Sequence, residues 1–595
     1  MKAFTEPLLS LAGFEEMTKT AEKSSGLISV TGCIDAQKSQ MIYAFGGHRK
    51  NKLIVTFGEQ KAKELYDEYS FFDKEVVYYP SKDVLFYQSD IRGNLLTAER
   101  IRALKAIREQ ERVTLVTTFD ALMNTMAPIE KMWENVLTLE QGQLLDLKEI
   151  QAALIRMGYE KEYQVQTMGQ FSVRGGILDV FPLTEENPIR IELWGDEIDT
   201  IRYFDCESQK SIENIDRVSI YPAAELVLSD EEKAGGIDKL KAEAKRVSDK
   251  LRKQMKTEEA HRVTVMADEL TEEWGELSMY AGMDAFLSYF FDERVGILDY
   301  FNPSDSLIFF DELTRCTEQG KLTETEFSES MKQRLAMGYI LPGQMNGLFT
   351  EKEIVAKLGK YSCIALAALD NKANGLHQLG SYGIHCQSVS PYNNSFELLI
   401  KDLKRYKKNG YRVILLSGSR TRAKRLSEDI TDQGITCFYT ENYDHELFEG
   451  QIMVCYGKVR RGFEYPILKF AVITESDIFG AQQKKKKRHR TYEGEKIQSF
   501  TDLSVGDYVV HENHGLGIYR GIEKLEVDKK VKDYIKIEYQ GGSNLYILAT
   551  QLDMIQKYAG KDARKPKLNK LGGQEWTRTK NRVRGCLLYT SDAAD

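Results

Sequence analysis

Short apolar runs that alternate with helix-like segments constrain the fold of this chain more than any other feature. In the first 132 residues, the runs GLISVTG, KLIVTFG and RVTLVTTF are typical of buried strands. The segments between them, such as EQKAKELYDEY and TAERIRALKAIREQE, have the pattern of helices. Because strands that alternate with helices usually form parallel sheets, an α/β domain is predicted here. The chain has 595 residues, 42% of them hydrophobic, which is enough for several such domains.

Changes in the predicted pattern of helices, strands and turns divide the rest of the chain into segments. Short strands separated by Gly, Pro and Asn-Pro turns indicate a small α+β module inserted into its host. Near the C-terminus, KDYIKIEYQ alternates Ile535, Ile537 and Tyr539 with polar residues, which predicts a half-buried strand of a small curled sheet or barrel. The predicted segments are an α/β domain (1–132), the inserted module (133–220), the second part of the first domain (221–355), a small α/β domain (356–480), a basic linker (481–500), a small β-domain (501–560) and a tail (561–595).

The stretch VTGCIDAQKSQ is close to a phosphate-binding loop but lacks one glycine. From Gly32 it reads G-x-x-x-x-Q-K-S, whereas the loop motif is G-x-x-x-x-G-K-[ST]. Gln37 places a side chain where the second glycine lets the backbone approach the phosphates. Asp35 adds a negative charge that repels phosphate. Lys38 and Ser39 occupy the positions of the phosphate-binding and magnesium-binding residues.

A second nucleotide-site element lies far downstream. The apolar run LIFFDE ends in Asp311 and Glu312, in the manner of a Walker B strand whose Asp helps to hold magnesium. We expect a degenerate site with no catalytic residue, no metal and no cofactor in this chain. Its residues are Gly32, Gln37, Lys38, Ser39, Asp311 and Glu312.

These motifs together resemble a known family. The altered loop, the module containing SVRGGILDVFP and the distant DE strand resemble the excision-repair protein UvrB. The stretch VGDYVVHENHGLGIYRGIEKLEV resembles the RNA-polymerase-interacting domain of CarD-type regulators. From residue 1 to about 584, the chain resembles the N-terminal part of the bacterial transcription-repair coupling family, Mfd. The resemblance implies a multidomain α/β fold: a UvrB-like RecA-type domain with an inserted α+β module, a second α/β domain and a Tudor- or CarD-like β-barrel.

The resemblance implies that the inserted module recruits UvrA. The family's contact residues correspond to Arg174, Arg190 and Trp194. Aromatic and arginine side chains dominate interface energies, so this set suits a binding surface. Arg190 and Trp194 are four residues apart and therefore share a face of an extended strand. The alternative is that Trp194 belongs to the core of the module.

The resemblance also implies a contact with the β subunit of RNA polymerase through the edge of a strand. The key apolar residue corresponds to Leu525 in GIEKLEV, flanked by Lys524 and Glu526. Strand addition of this kind uses main-chain hydrogen bonds, and alternate side chains add specificity. The alternative is that Leu525 faces the barrel core.

The tail departs from the family pattern. After GGQEWTRTKNRVR the family continues into a long helix and a translocase motor, whereas this chain ends in GCLLYTSDAAD. We therefore expect truncation before the motor, with an aberrant tail from about Gly585. On this expectation ATP, Mg²⁺ and most contacts with double-stranded DNA belong to the absent motor, and the face that binds UvrA is exposed.

Two functions follow from these patterns. The first is an adaptor that binds stalled RNA polymerase and recruits UvrA for nucleotide excision repair, while the full-length relative is an ATP-dependent DNA translocase. The second is a UvrB-like, DNA-stimulated ATPase or helicase that uses Lys38, Ser39 and Asp311. Gln37 and Asp35 favour the adaptor.

Composition excludes several other classes of protein. The net charge of −8 argues against a globally basic nucleic-acid binder, so the run Lys484–Arg490 is interpreted as a solvated linker. The eight cysteines form no C-x-x-C pair, and His511 and His514 lack a third metal ligand nearby. No apolar stretch is long enough to span a membrane. A cytoplasmic protein is predicted.

Overall fold

The structure is a computed structural model. It describes residues 1–46, 49–82, 94–206, 208–276, 283–369, 375–480, 494–496, 503–511, 515–527, 530–548, 555–558, 566 and 568–569. These residues form five β-sheets, which have seven, six, two, six and six strands. The prediction of several α/β units and separate small sheets is therefore confirmed.

The N-terminal part alternates helices with four strands, as its apolar runs predict. Every residue of the fourth strand is buried, as expected for a parallel strand that is covered on both faces. The elements are α1 (Lys2–Thr5), α2 (Phe14–Lys23), β1 (Gly26–Thr31), α3 (Asp35–Gly46), β2 (Asn51–Thr56), α4 (Glu59–Tyr69), β3 (Val76–Tyr79), α5 (Asn94–Glu109), β4 (Val113–Thr118), α6 (Phe119–Met123) and α7 (Ile129–Glu134).

The next segment is a small sheet module. Its elements are β5 (Leu137–Glu140), α8 (Leu147–Arg156), β6 (Glu160–Lys161), β7 (Gln170–Arg174), β8 (Ile177–Val180), β9 (Ile189–Trp194), β10 (Glu197–Phe204), β11 (Ser211–Ile215) and β12 (Arg217–Ile220). The main sheet has the order β11-β10-β9-β8-β7-β6, and α8 packs on it through Leu154. β5 pairs with β12 in antiparallel fashion, with Leu137 opposite Ile220. The chain therefore enters and leaves the module at one place, as an insertion requires.

The chain then returns to the first sheet. The elements are α9 (Asp230–Lys253), α10 (Thr257–Glu276), α11 (Leu287–Phe290), β13 (Ser306–Asp311), α12 (Leu313–Ala336), α13 (Glu351–Leu358), β14 (Ser362–Leu366) and β15 (Gln378–Gly383). The completed sheet has the order β15-β1-β14-β13-β2-β4-β3, and all its pairings are parallel. α9 and α10 pack together around the buried Trp274. The strand predicted from LIFFDE is β13.

A second α/β domain follows. Its elements are β16 (Gln387–Ser388), α14 (Phe396–Lys408), β17 (Arg412–Ser417), α15 (Arg420–Asp432), β18 (Phe438–Tyr439), β19 (Ile452–Tyr456), β20 (Phe463–Tyr465), β21 (Phe470–Thr474) and α16 (Glu475–Phe479). The sheet has the order β16-β20-β21-β17-β19-β18. Val413 and Leu415 pack with α14 and α15 on one face. Leu416 belongs to a core that is shared with the first domain.

The last sheet is antiparallel throughout. Its strands are β22 (Gly494–Lys496), β23 (Tyr508–His511), β24 (Gly515–Val527), β25 (Lys530–Glu538), β26 (Asn544–Leu548) and β27 (Ile555–Tyr558), in the order β22-β27-β23-β24-β25-β26. Ile535, Ile537 and Tyr539 are buried, which confirms the predicted alternation. In the described part of the chain, no pairing of β22 with β26 closes this sheet into a barrel. None of the described helices is long and apolar enough to cross a membrane.

Candidate functional sites

The altered phosphate loop is short, and its backbone amides are hydrogen-bonded to another part of the same protein. β1 ends at Thr31 and α3 begins at Asp35, so three residues connect them. The Gly32 N–H donates to the Ala368 carbonyl at 3.3 Å, and the Cys33 N–H donates to the Ala367 carbonyl at 2.9 Å. In a phosphate-binding loop such amides face the anion. Here the carbonyls of the two residues that follow β14 accept hydrogen bonds from these amides.

Gln37 lies inside a helix and not in a loop. It is in the first turn of α3, and its side chain is fully buried. Within the described residues, neither atom of its side-chain amide has a hydrogen-bond partner. The position that a glycine would occupy in a nucleotide site is thus filled by a packed side chain.

Lys38 is paired with carboxylates instead of facing solvent. Its ammonium donates to Asp311 Oδ1 at 2.5 Å, to Glu312 Oε1 at 2.9 Å and to Asp35 Oδ1 at 3.2 Å. The side chains of Lys38 and Asp311 are each 1% exposed. Burial lowers the pKa of Lys38, but the attraction of Asp311 and Glu312 outweighs it, so the pKa is raised above its usual range. Thr56 Oγ1 donates to the other oxygen of Asp311 at 2.9 Å, which completes a closed network.

Ser39 does not join this network. Its hydroxyl donates to Glu68 Oε2 at 3.4 Å, on α4. Burial raises the pKa of the Glu68 carboxyl to about 7, although Lys61 and Arg460 lie near enough to oppose the shift. The structure thus brings Lys38 to Asp311 and Glu312 but directs Ser39 elsewhere. The sequence analysis missed Glu68, because no local motif marks a carboxylate whose neighbours, Ser39 and Arg460, lie in other elements.

The two arginines of the predicted UvrA surface meet on one carboxylate. Asp179 on β8 accepts Arg174 Nη2 at 2.7 Å and Arg190 Nε at 2.7 Å. The hydrogen bond to Asp179 raises the pKa of Arg190, and its guanidinium lies 4.3 Å from the ring centroid of Phe204. The sequence analysis missed Asp179. This residue lies between the two arginines because β8 lies between β7 and β9 in the sheet.

Trp194 ends β9 with its side chain in solvent. It is 85% exposed, so the alternative of a core residue is wrong. The alternation along β9 places it on the same face as Arg190, while Ile189 and Ile191 face the core.

The predicted polymerase contact lies in the second half of β24. Leu525 is paired with Lys532 on β25. On the other side, β23 pairs with β24 only from Gly515 to Ile518. In the described ranges, no strand covers the other edge of Lys524–Glu526. The side chains of these three residues are outside the description, so the direction of Leu525 stays a prediction, and Lys484–Arg490, His514 and the tail from Gly585 also lie outside the described residues.

Two family models match separate parts of the chain. The UvrB interaction domain matches residues 137–226, which contain the whole module from β5 to β12. The CarD-like/TRCF RID domain matches residues 503–559, which contain β23 to β27. Their order along the chain agrees with the order expected from the sequence.

Curated relatives match across both regions. The transcription-repair-coupling factor of Bacillus subtilis (strain 168) is 31% identical over 533 residues, which cover 89% of this chain and 45% of the relative. The factor of Staphylococcus haemolyticus (strain JCSC1435) is 30% identical over 568 residues, covering 93% and 47%. That of Staphylococcus aureus (strain MRSA252) is 30% identical over 585 residues, covering 96% and 48%. The chain thus spans about half the length of these relatives, and the predicted resemblance to the N-terminal part of the transcription-repair-coupling factors is confirmed.

Proposed function

We propose that this chain is an adaptor in transcription-coupled DNA repair, which binds UvrA through its inserted module and RNA polymerase through its C-terminal sheet. One observation carries the proposal: a UvrB interaction domain and a CarD-like/TRCF RID domain occur on the same chain. A protein with both domains can connect a transcribing enzyme to a repair enzyme. The relatives named as transcription-repair-coupling factors support this function.

The module supports UvrA binding through its outer face. Arg174 and Arg190 are held in place by Asp179, which lowers the entropy that they lose when a partner binds. Trp194 presents a large exposed aromatic surface beside them, and such residues are frequent hot spots. We propose that these three side chains contact UvrA.

The C-terminal sheet supports polymerase binding by strand addition. We propose that the second half of β24 pairs with a strand of the polymerase β subunit, with Leu525 providing the apolar contact and Lys524 and Glu526 flanking it. The uncovered backbone edge offers the main-chain donors and acceptors that strand addition needs. We also propose that this domain has the CarD-like barrel fold.

The first domain supports a scaffolding role. We propose that it has the RecA-type fold of UvrB without its ATPase, because the loop amides and Lys38 are already bound within the protein. ATP-driven translocation on double-stranded DNA, with its ATP and Mg²⁺, is then a property of the motor of the longer relatives. The predicted boundaries at residues 132, 220, 355 and 480 are proposed as the domain limits.

Binding assays with matched variants test the adaptor function. Trp194→Ala and Arg190→Ala are expected to weaken UvrA binding more than tenfold, as for hot-spot residues. Tyr163→Ala removes an equally exposed aromatic side chain of the module, 84% exposed, and should leave the affinity unchanged. Equal effects of Trp194→Ala and Tyr163→Ala would refute the proposed UvrA surface.

A parallel pair of variants tests the polymerase contact. Leu525→Ala should reduce binding of the β subunit, whereas Val505→Ala, which removes an exposed apolar side chain of the same domain, should not.

An ATPase assay tests the alternative function. The rate of ATP hydrolysis by the wild-type chain, with and without DNA, should equal that of Lys38→Ala. ATPase activity that is lost in Lys38→Ala and Asp311→Ala would instead favour the UvrB-like enzyme.

A further inference from the structure

A cavity of about 700 Å³ opens beside Trp194 at one end of the module. Three segments form it: the turn after β5, the β9–β10 hairpin and the junction of β11 with β12. The Gly142 N–H donates to the Ile198 carbonyl at 2.8 Å, and the Leu145 N–H donates to the Asp196 carbonyl at 2.7 Å. These bonds fix the turn on the hairpin, so the cavity has a defined shape.

Two large apolar side chains stand in solvent at this end of the module. Trp194, which lines the cavity, is 85% exposed, and Leu144 is 75% exposed. Both residues are backbone neighbours of Glu197: Trp194 pairs with it in the hairpin, and Leu144 forms an isolated β-bridge with it. Exposed apolar side chains that lie together are typical of a surface that binds another protein.

The lining of the cavity is acidic. It includes four carboxylates and one cation, Arg217, which pairs with Glu140 at 3.0 Å. Among the described residues, Glu197, Asp199 and Asp216 form no ion pair. Three negative charges therefore remain open to a ligand. This charge repels nucleic-acid phosphates and favours a cationic group.

We propose that this cavity binds an arginine or lysine side chain of the protein that docks on Trp194. The inference rests on the proposed function, because the same partner is expected to contact both surfaces. The cation would meet the three open carboxylates and the face of the Trp194 indole, which attracts positive charge. Its aliphatic stem would pack near Leu144. Trp194 thus separates two binding surfaces, one rich in arginine and one rich in carboxylates.

Charge neutralisation at the cavity tests this proposal. In the full chain, the triple variant Glu197→Gln, Asp199→Asn, Asp216→Asn should bind UvrA about tenfold more weakly, as expected when several exposed ion pairs are lost together. The dependence of this affinity on salt concentration should also decrease. The control variant Glu149→Gln, Glu162→Gln, Glu213→Gln removes the same charge from exposed sites elsewhere on the module and should bind within about twofold of the wild type.

The outcomes separate the cavity from the proposed function. If Trp194→Ala weakens UvrA binding but the cavity variant behaves like the control, the cavity proposal is overturned and the UvrA surface stands. If the wild type does not bind UvrA, the proposed function fails, and a hexa-arginine peptide then probes the cavity directly, with its binding measured by calorimetry. Binding of this peptide that is lost in the cavity variant, and not in the control, supports the cavity. Equal binding by all three proteins overturns it.

Discussion

Single residues at the altered phosphate loop make internal contacts where a nucleotide site would use the same groups to hold a ligand. Lys38→Ala would leave the buried Asp311 without its cation, which typically costs about 3 kcal/mol or more. We expect urea denaturation to show this loss in the free energy of unfolding. Lys61→Ala removes a cation that pairs with the largely exposed Asp35, so its cost should stay below about 1 kcal/mol. Equal costs would contradict the closed network, as would a rise in the wild-type melting temperature with ATP.

Two carboxylates of α4 should make contributions to folding stability that change with pH in opposite directions. The pKa of Glu68 is raised to about 7, so the folded state binds more protons and stability falls as pH rises from about 4.5 to 7. Glu68→Gln should therefore stabilise the protein at pH 8, by about 1–3 kcal/mol, and have little effect below pH 4.5. The hydrogen bond from Arg460 lowers the pKa of Glu64, so Glu64→Gln should destabilise the protein at pH 8 and lose this effect in acid. Melting temperatures across this range check both signs, and the same sign for both variants would refute the assignment.

Backbone segments approach closely at the altered phosphate loop. A Cβ on Gly32 would lie 2.0 Å from the Ile384 carbonyl oxygen, next to the end of β15, and its φ is +77°. Gly434 after α15 has the same φ but open space around its Cβ position. Gly434→Ala should cost about 1–2 kcal/mol from φ alone, and Gly32→Ala distinctly more. Similar shifts of the unfolding midpoint would show that the loop does not need this close approach.

Sequence patterns anticipated the elements better than the contacts between them. The apolar runs marked β1, β2, β4 and β13, because a strand buried on both faces needs a continuous apolar segment. The same patterns did not reveal that residues 35–37 are helical. Nor did they reveal that the amides just before this helix donate to the carbonyls of Ala367 and Ala368, more than 300 residues away. Asp179 was missed for a similar reason. It contacts Arg174 and Arg190 only because β7, β8 and β9 lie side by side in the folded sheet.

The two α/β domains share one core, so a substitution in that core should destabilise both domains together. Leu416 on β17 packs into the core shared with the first sheet, whereas its neighbour Leu415 packs under α14 and α15. Each truncation to Ala should cost about 2–5 kcal/mol. Hydrogen exchange should show that Leu416→Ala speeds exchange in β1 and β2 as well, while Leu415→Ala acts only within the second domain. Confinement of both effects to the second domain would contradict a shared core.

The two neighbouring strands that connect the module to its host make this part of the protein portable. Because β5 and β12 run side by side, a gene segment that encodes everything between them can be gained, lost or exchanged without rethreading the surrounding sheet. The proposed UvrA-binding function can therefore evolve at a pace different from that of the domain that carries the module. The module, with β5 and β12 at its base, could be grafted between two adjacent strand ends of an unrelated protein, and if the proposed function holds, that host would then bind UvrA.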